Sequence, residues 1–282
     1  MVMTVSHPFG TRMNSISPKH GDKVSSDFYS LVSDRHLPID MISNSIVLSQ
    51  GALWKHRMIR DNAATHHTRD DSSHVPAGTT TIVEWAILDH LLDLHCALLE
   101  VGKDELKDLP PMDGVDDLAQ RITATFRRTL PALRIASKWL RANFKYVVQD
   151  QEFASFKQTE KGKGSESNKK TANKISGHSP KTLQFWKTYA QFLLALSLAF
   201  PADELPSLSA PLEEDIEMRG FSPLRNLMGE SKISSEKLSD EVGQSREQVH
   251  PNVEQLMRIA DLLDDAQALV AMEVCPVEYL LS

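Results

Sequence analysis

Apolar residues recur along most of this chain at intervals of three and four. The clearest run lies between Ile82 and Leu99 and includes Trp85, Leu88 and Leu92. This spacing places the apolar side chains on one broad face of an α-helix. No segment shows the sustained alternation of apolar and polar residues that is typical of a strand. The sequence therefore predicts an all-α fold.

The same spacing predicts a series of long helices separated by polar loops. Their expected ranges are 38–61, 82–102, 115–130, 131–148, 180–200 and a last helix that begins at Pro251. Pro131 is expected either to kink the chain or to restart a helix, and Gly102 to mark a helix end. The helix over 180–200 carries apolar residues on nearly every side, which indicates a central helix enclosed by its neighbours. Successive long helices predict stacked antiparallel helical hairpins, an α-solenoid-like architecture.

Several polar stretches contain too few apolar residues to offset the conformational entropy that folding removes. Residues 1–24 are rich in Ser, Pro, Gly and His, so we expect a disordered tail. Flexible insertions are expected at about 62–78, 150–178 and 229–250. The remainder, 25–278, is predicted to form a single helical domain.

Composition limits the classes of partner. The formal net charge is −7, which argues against a protein that coats nucleic-acid phosphates through its overall field. The two cysteines, Cys96 and Cys275, have no metal-binding or disulfide-framework spacing, so a reducing compartment is expected. The most apolar segment, Phe192 to Phe200, is too short to cross a bilayer, and no membrane partner is expected.

Common catalytic motifs are missing from the sequence. It contains no GxxxxGKS/T, GxGxxG, HExxH or GxSxG. The histidines His66, His67 and His74 lie in a polar loop that offers no fixed geometry for a metal, and His95 falls within an apolar stripe, as a core histidine does. We therefore expect no enzymatic activity, no cofactor, no metal and no small-molecule substrate.

One local row of basic residues stands out. It comprises Arg134, Lys138, Arg141 and Lys145, extended by Arg127 and Arg128. Steps of four, three and four place the first four on one side of a helix. Such a row can bind phosphates of RNA or single-stranded DNA. The alternative interpretation is the solvated polar face of an amphipathic helix.

Four segments together resemble one known family. The sequence PLEEDIEMRGFSPLR (211–225) is similar to an acidic segment followed by GFxPL in the Ever Shorter Telomeres/SMG family, whose members act in nonsense-mediated mRNA decay and at telomerase. LPALRIASKWLRANF (130–144), FWKTYAQFLLALSLAFP (185–201) and QLMRIADLLDDAQALVAMEV (255–274) resemble the family's helices in the same order. The similarity spans roughly 28–274.

The resemblance implies a helical-hairpin domain of the DNA/RNA-binding type. It implies a non-catalytic scaffold or adaptor in mRNA decay or telomere maintenance, found in nucleus and cytoplasm. Its expected partners are mRNA-decay or telomerase protein factors, with RNA or single-stranded DNA. The family's 14-3-3-like phosphopeptide domain and its nuclease domain have no counterpart in this sequence, so no phosphopeptide-binding or nuclease residues are carried over.

Two further interpretations stay open. The chain can act as a direct single-stranded nucleic-acid-binding module that uses the basic row, or it can be a truncated family member without independent activity. Large exposed apolar patches near its first helix would be typical of the latter.

The recognised 211–225 segment has a predicted structural role. Its acidic residues favour the beginning of a helix through the macrodipole, and its glycine permits a turn. Phe221 and Leu224 are expected to anchor an otherwise extended stretch onto the helices. The segment's predicted structural residues are Glu214, Asp215, Arg219, Gly220, Phe221, Pro223 and Leu224.

Overall fold

The computed structural model describes residues 19–66, 82–107, 109, 117–160, 180–224 and 249–272. Their helices are α1 (Lys19–Ser33), α2 (Ile39–His66), α3 (Ile82–Lys107), α4 (Ala124–Glu160), α5 (Pro180–Ala199), α6 (Glu213–Glu217) and α7 (Pro251–Ala271). Short 3-10 turns occur at Leu118–Arg121, Ala202–Glu204 and Ser222–Leu224. No strand occurs in these ranges. The predicted all-α fold is confirmed.

Helices α1, α3 and α5 form a first layer in which all three run in the same direction. Lys181 Nζ lies 2.6 Å from a carboxylate oxygen of Asp93, and Thr188 Oγ1 donates to Glu100 at 3.2 Å. Both pairs join residues separated by 88 positions, which requires α3 and α5 to be parallel. On the other side of α3, Tyr29 of α1 donates to the Asp104 carboxylate at 2.6 Å.

Helices α2, α4 and α7 form a second layer, also parallel to one another. Gln50 and Arg57 of α2 contact the Ile135 carbonyl and the Asn143 side chain of α4, at 3.5 and 3.2 Å. The order of contacts along α2 thus matches the order along α4. On the opposite side of α4, the residues that contact α7 follow the same order along both helices, from their beginnings to their middles.

The two layers meet with their helices antiparallel. Tyr146, far along α4, donates to Glu84 at the start of α3 at 2.6 Å. Thr123, just before α4, bonds to Glu105 near the end of α3. Each long helix therefore runs opposite to the next along the chain, giving the hairpins α1/α2, α3/α4 and α5/α7. This arrangement confirms stacked antiparallel helical hairpins.

The most enclosed helix is α4, and the prediction that 180–200 forms the enclosed helix is wrong. Every residue from Ala132 to Leu140 is buried, because α4 packs against α2, α3 and α7. Helix α5 instead exposes a stripe to solvent at Gln184, Lys187, Gln191, Leu194 and Leu198. Apolar content alone did not reveal that α5 lies at the edge of the first layer.

Several predicted boundaries also differ from the structure. Helix α1 was not predicted and begins at Lys19, inside the expected tail, while α4 continues through Pro131 and extends to Glu160, inside the expected insertion over 150–178. The remaining parts of the predicted tail and insertions, 1–18, 67–78, 161–178 and 229–248, lie outside the described residues. The single-domain prediction for 25–278 stays a prediction. Among the described helices, none has the length and apolarity that a bilayer crossing requires.

The prediction that Gly102 marks a helix end is wrong, because α3 continues through it to Lys107. An aromatic ring occupies the space that a side chain at position 102 would fill. A methyl group added there would come within 2.6 Å of Phe192 and 3.3 Å of Phe126. These two rings pack edge to face, with centroids 6.3 Å apart. The glycine therefore sets the close approach of α3 to α5.

We predict that Gly102→Ala lowers the free energy of unfolding by about 1–3 kcal/mol, because Phe192 must move. Gly51, within α2, is the matched control, since a methyl group there would lie at an ordinary 3.5 Å from Phe221. Gly51→Ala should stabilise by about 0.5–1 kcal/mol through helix propensity. Urea unfolding measures both changes, and equal effects of the two substitutions would contradict the packing explanation.

His95 is a core residue, as its apolar stripe predicts. It is 3% exposed, and its ring lies 6.1 Å from both Trp139 and Phe185, measured between centroids. Burial lowers the pKa of His95 to about 3, because the charged imidazolium cannot be solvated there. The folded protein thus holds a neutral imidazole.

This lowered pKa predicts a pH dependence of stability. Between about pH 6.5, the ordinary histidine value, and pH 3, the unfolded chain binds a proton at His95 that the folded chain does not. The free energy of unfolding should therefore fall as the pH drops below 6.5, by up to about 1.4 kcal/mol per pH unit. Urea unfolding between about pH 5 and 7 tests this, and His95→Leu should flatten the profile. Parallel profiles would show that another group is responsible.

Candidate functional site

The predicted basic row lies on α4, and its middle is buried under acidic residues. Arg134 is 1% exposed and Lys138 is 5% exposed. The Arg134 Nε atom lies 2.5 Å from an oxygen of Asp261, and its Nη1 lies 2.7 Å from Asp215 and 3.3 Å from Glu214. A buried guanidinium requires such partners, because desolvation of an unpaired charge is costly.

The pairing continues along α4 and α7. Lys138 Nζ lies 2.7 Å from Asp261 and 3.0 Å from Asp265, and Arg141 Nη1 is also 3.0 Å from Asp265. Asp261 and Asp265 are four positions apart on α7, as are Arg134 and Lys138 on α4. Because the two helices are parallel, cations and carboxylates of equal spacing face each other.

Arg258 of α7 completes the cluster. Its Nε and Nη2 atoms donate to the two oxygens of Glu214 at 2.9 and 2.8 Å, the bidentate geometry that suits a guanidinium and a carboxylate. We call the whole set the charge network. It consists of Arg134, Lys138, Arg141, Arg258, Glu214, Asp215, Asp261 and Asp265. Four positive and four negative groups give it no net charge.

The charge network lowers the pKa of two of its carboxyl groups, Glu214 and Asp261. Burial alone would raise the pKa of Glu214, but hydrogen bonds and charge from Arg258 and Arg134 outweigh it and lower that pKa. For Asp261, Arg134 and Lys138 likewise outweigh burial and lower the pKa. A lowered folded-state pKa stabilises the fold at pH values above the ordinary carboxyl range, and this stabilisation is lost as the pH falls through the folded-state pKa.

Residues 211–224, which we call the strap, bring Glu214 and Asp215 to α4. Helix α6 begins with the acidic residues Glu213, Glu214 and Asp215, as predicted, and Asp215 also accepts a hydrogen bond from the Leu212 N–H at 2.8 Å. Gly220 turns the chain with φ +80°, a conformation that favours glycine. The strap crosses the second layer from α7 to α2.

The far end of the strap is anchored by apolar contacts, as predicted. Leu224 is 1% exposed, and half-buried Phe221 packs against the core beside Gly51 of α2. Pro223 is half-buried in the closing 3-10 turn, whereas Arg219 is exposed. The strap thus covers the polar face of α4, which the residue pattern of α4 alone would assign to solvent.

The structure corrects both interpretations for Arg134 and Lys138, in the middle of the basic row. Arg134 and Lys138 are neither a phosphate-binding surface nor a solvated helix face, because the strap and α7 bury and neutralise them. Arg141 remains partly exposed but pairs with Asp265. The Lys145 side chain lies outside the described residues. The matching four-residue spacing of Asp261 and Asp265 was the sequence signal that could have indicated the pairing.

Arg127 and Arg128, at the beginning of α4, have different surroundings. Arg127 donates to the Asn252 side chain at 2.8 Å, and Arg128 donates to the Leu37 carbonyl. Both arginines are half-buried, and neither takes part in an ion pair within the described ranges. Their described partners are neutral, so their positive charge is not cancelled locally.

The described residues contain no cluster of His, Cys, Asp or Glu side chains arranged to hold a metal. Each acidic side chain of the charge network has at least one oxygen paired with an Arg or Lys side chain. Over the described ranges, the geometry defines an all-helical protein of stacked hairpins with a buried charge network between α4, α7 and the strap.

Comparison with known families then shows the family. A family model described as the Est1 DNA/RNA binding domain matches residues 57–227, more than half of the chain. The chain belongs to this family, which confirms the resemblance drawn from its sequence segments. Comparison with curated proteins and with solved structures found no match. The matched range includes α3, α4, α5 and the strap.

We predict that Glu214→Gln strongly destabilises the fold. The substitution leaves buried Arg258 without its bidentate carboxylate partner, and removal of one partner from a buried ion pair typically costs about 3–5 kcal/mol. Glu217→Gln, at an exposed position of the same short helix, should change the free energy of unfolding by less than about 0.5 kcal/mol. Thermal or urea unfolding compares the two. A similar small effect of both would mean that Glu214 is not structurally required.

Proposed function

We propose that this chain is a non-catalytic helical scaffold that binds single-stranded RNA or DNA at the beginning of α4. The family description, a DNA/RNA binding domain, supports the class of ligand. The observation that carries the location is the contrast within the basic row. Arg134 and Lys138 are neutralised by carboxylates, whereas Arg127 and Arg128 are held by neutral oxygens.

Phosphate binding depends on positive charge that is available to the ligand. An arginine already paired with a carboxylate gains little from a phosphate, because the phosphate must compete with the existing partner. Arg127 and Arg128 have no such competitor among the described contacts. One hydrogen bond fixes each guanidinium in place and leaves further N–H groups to donate, which favours recognition of phosphate oxygens.

The direction of the second-layer helices adds to the positive potential at this edge. Helices α2, α4 and α7 are parallel, so Ile39, Ala124 and Pro251, where they begin, all lie at the same edge of the layer. The beginning of each helix carries a partial positive charge from its macrodipole. Within the second layer, Arg127 and Arg128 therefore lie at the positive ends of three helix dipoles, while the antiparallel helices of the first layer end on the same side of the molecule.

The experiment is a salt titration of binding to a single-stranded RNA. Each phosphate neutralised on a single strand contributes about 0.7 to the slope of log K against log salt concentration. The double variant Arg127→Gln, Arg128→Gln should weaken binding and reduce that slope by about 1.4. An unchanged affinity and slope would contradict this location of the nucleic-acid interface.

The matched control removes two positive charges from the first layer. Lys23→Gln with Lys187→Gln changes two exposed lysines, on α1 and α5, and alters the net charge by the same amount. This variant should keep the wild-type slope, because its lysines lie away from the α4 edge. An equal loss in both double variants would indicate binding through overall charge only.

The proposed biological setting is assembly with telomerase or with mRNA-decay factors, in nucleus and cytoplasm. Affinity purification of the tagged chain from cells tests it. Recovery of telomerase RNA or of decay factors with the wild type, and its loss in the Arg127/Arg128 double variant, would support a scaffold that uses this interface.

A further inference from the structure

A small cavity lies between the two layers, where side chains of α3, α4, α5 and α7 meet. Most of its lining residues are leucines and aromatic residues, and its polar lining residues are His95, Ser137 and Tyr189. The cavity volume is about 20 Å³. A water molecule needs at least about 10–15 Å³, whereas a cavity of about 150 Å³ holds benzene. This cavity therefore has room for water but not for an organic ring.

Two polar atoms of the lining residues have no hydrogen-bond partner among the described residues. They are the Nε2 atom of His95 and the hydroxyl oxygen of Ser137. Both side chains are deeply buried, at 3% and 4% exposed. Burial of a polar group without a partner destabilises the fold, because the group loses its bonds to water and gains none in return. Each of these two atoms therefore requires a partner.

The hydroxyl of Ser137 differs from those of two serines on α2. Ser45 and Ser49 each donate to the carbonyl four positions earlier in the helix, at 2.8 and 3.0 Å. Such a local bond is a common way for a serine within a helix to satisfy its hydroxyl. Ser137 makes no bond of this kind. Its hydroxyl is therefore available to a group in the cavity.

The chemistry of the cavity favours a neutral ligand. None of its lining residues is an aspartate, a glutamate, a lysine or an arginine, so a bound ion would have no counter-charge there. His95 is itself neutral, since burial lowers the pKa of its imidazole. One nitrogen of a neutral imidazole donates and the other accepts, while a hydroxyl does both. Water also donates and accepts, so it can pair with Nε2 in either tautomer.

We propose that one water molecule occupies this cavity and bridges the Nε2 atom of His95 to the hydroxyl of Ser137. A buried water typically makes about two to four hydrogen bonds, and these two groups supply two. His95 belongs to α3 and Ser137 to α4, so the water joins the two layers through hydrogen bonds. It is a ligand of the fold itself and does not depend on nucleic-acid binding.

The water accounts for a polar ring in aromatic surroundings. The ring of His95 packs against Trp139 and Phe185, with centroids 6.1 Å apart in both pairs. A phenylalanine could make these contacts equally well, but only a polar atom such as Nε2 can hold a water molecule. The bridge thus gives the imidazole a role that an apolar side chain at position 95 would not have.

Magnetic relaxation dispersion of water ¹⁷O, recorded on the full chain, tests the proposal, because its amplitude counts water molecules that stay bound while the protein tumbles. Ser137→Ala removes one of the two partners, and Ser137→Val also fills the space with a methyl group. Each variant should lower the amplitude by the share of one water per chain. The matched control is Ser49→Ala, since Ser49 is also buried but its hydroxyl already has a partner within α2. This control should keep the wild-type amplitude.

A second measurement locates the water at His95. The ¹⁵N resonance of Nε2, in a chain labelled at histidine, depends on the hydrogen bond that this atom makes. Near neutral pH this resonance should shift in both Ser137 variants and stay unchanged in Ser49→Ala. The His95→Leu variant identifies the resonance by its loss.

Three outcomes would overturn the proposal. An amplitude that neither Ser137 variant lowers would mean that no long-lived water is held in this cavity. A lowered amplitude with an unshifted Nε2 resonance would place the lost water away from His95. An equal loss in Ser49→Ala would mean that the lost water is not held by Ser137.

Discussion

The interaction on which this structure most depends is the enclosure of the Arg134 guanidinium by carboxylates from two directions. An isolated charge at such depth would cost several kcal/mol. Asp261 on α7 and Asp215 on the strap each place a negative charge beside this guanidinium. The position of α7 beside α4, and the position of the strap across both, are therefore set by one side chain as well as by apolar burial.

This arrangement separates two roles along a single row of basic residues. In the middle of α4, the positive charges are buried and paired with carboxylates of the strap and α7. At the beginning of α4, Arg127 and Arg128 are oriented by neutral oxygens and keep their charge. A protein with net charge −7 attracts phosphates where positive charge is accessible and locally uncancelled, and we propose that Arg127 and Arg128 provide such a place.

Helical periodicity was enough to predict the fold class, because long amphipathic helices have few other ways to bury their apolar faces. It missed α1, whose first turns, around Lys19 to Lys23, are strongly polar and obscured the later apolar positions. Residue spacing also misplaced Arg134 and Lys138, since a helical projection does not show which distant segment covers a face. The strap comes from about 80 residues further along the chain, beyond the reach of local pattern.

The strap gives this stacked-hairpin protein an unusual connectivity. In arrays of hairpins, each unit normally touches only its neighbours, and the ends can open independently. Here a single segment contacts α7 through Glu214 and α2 through Phe221, and so joins the third hairpin to the first. Fraying from one end must break contacts at the other, which favours cooperative, all-or-none unfolding over stepwise loss of hairpins.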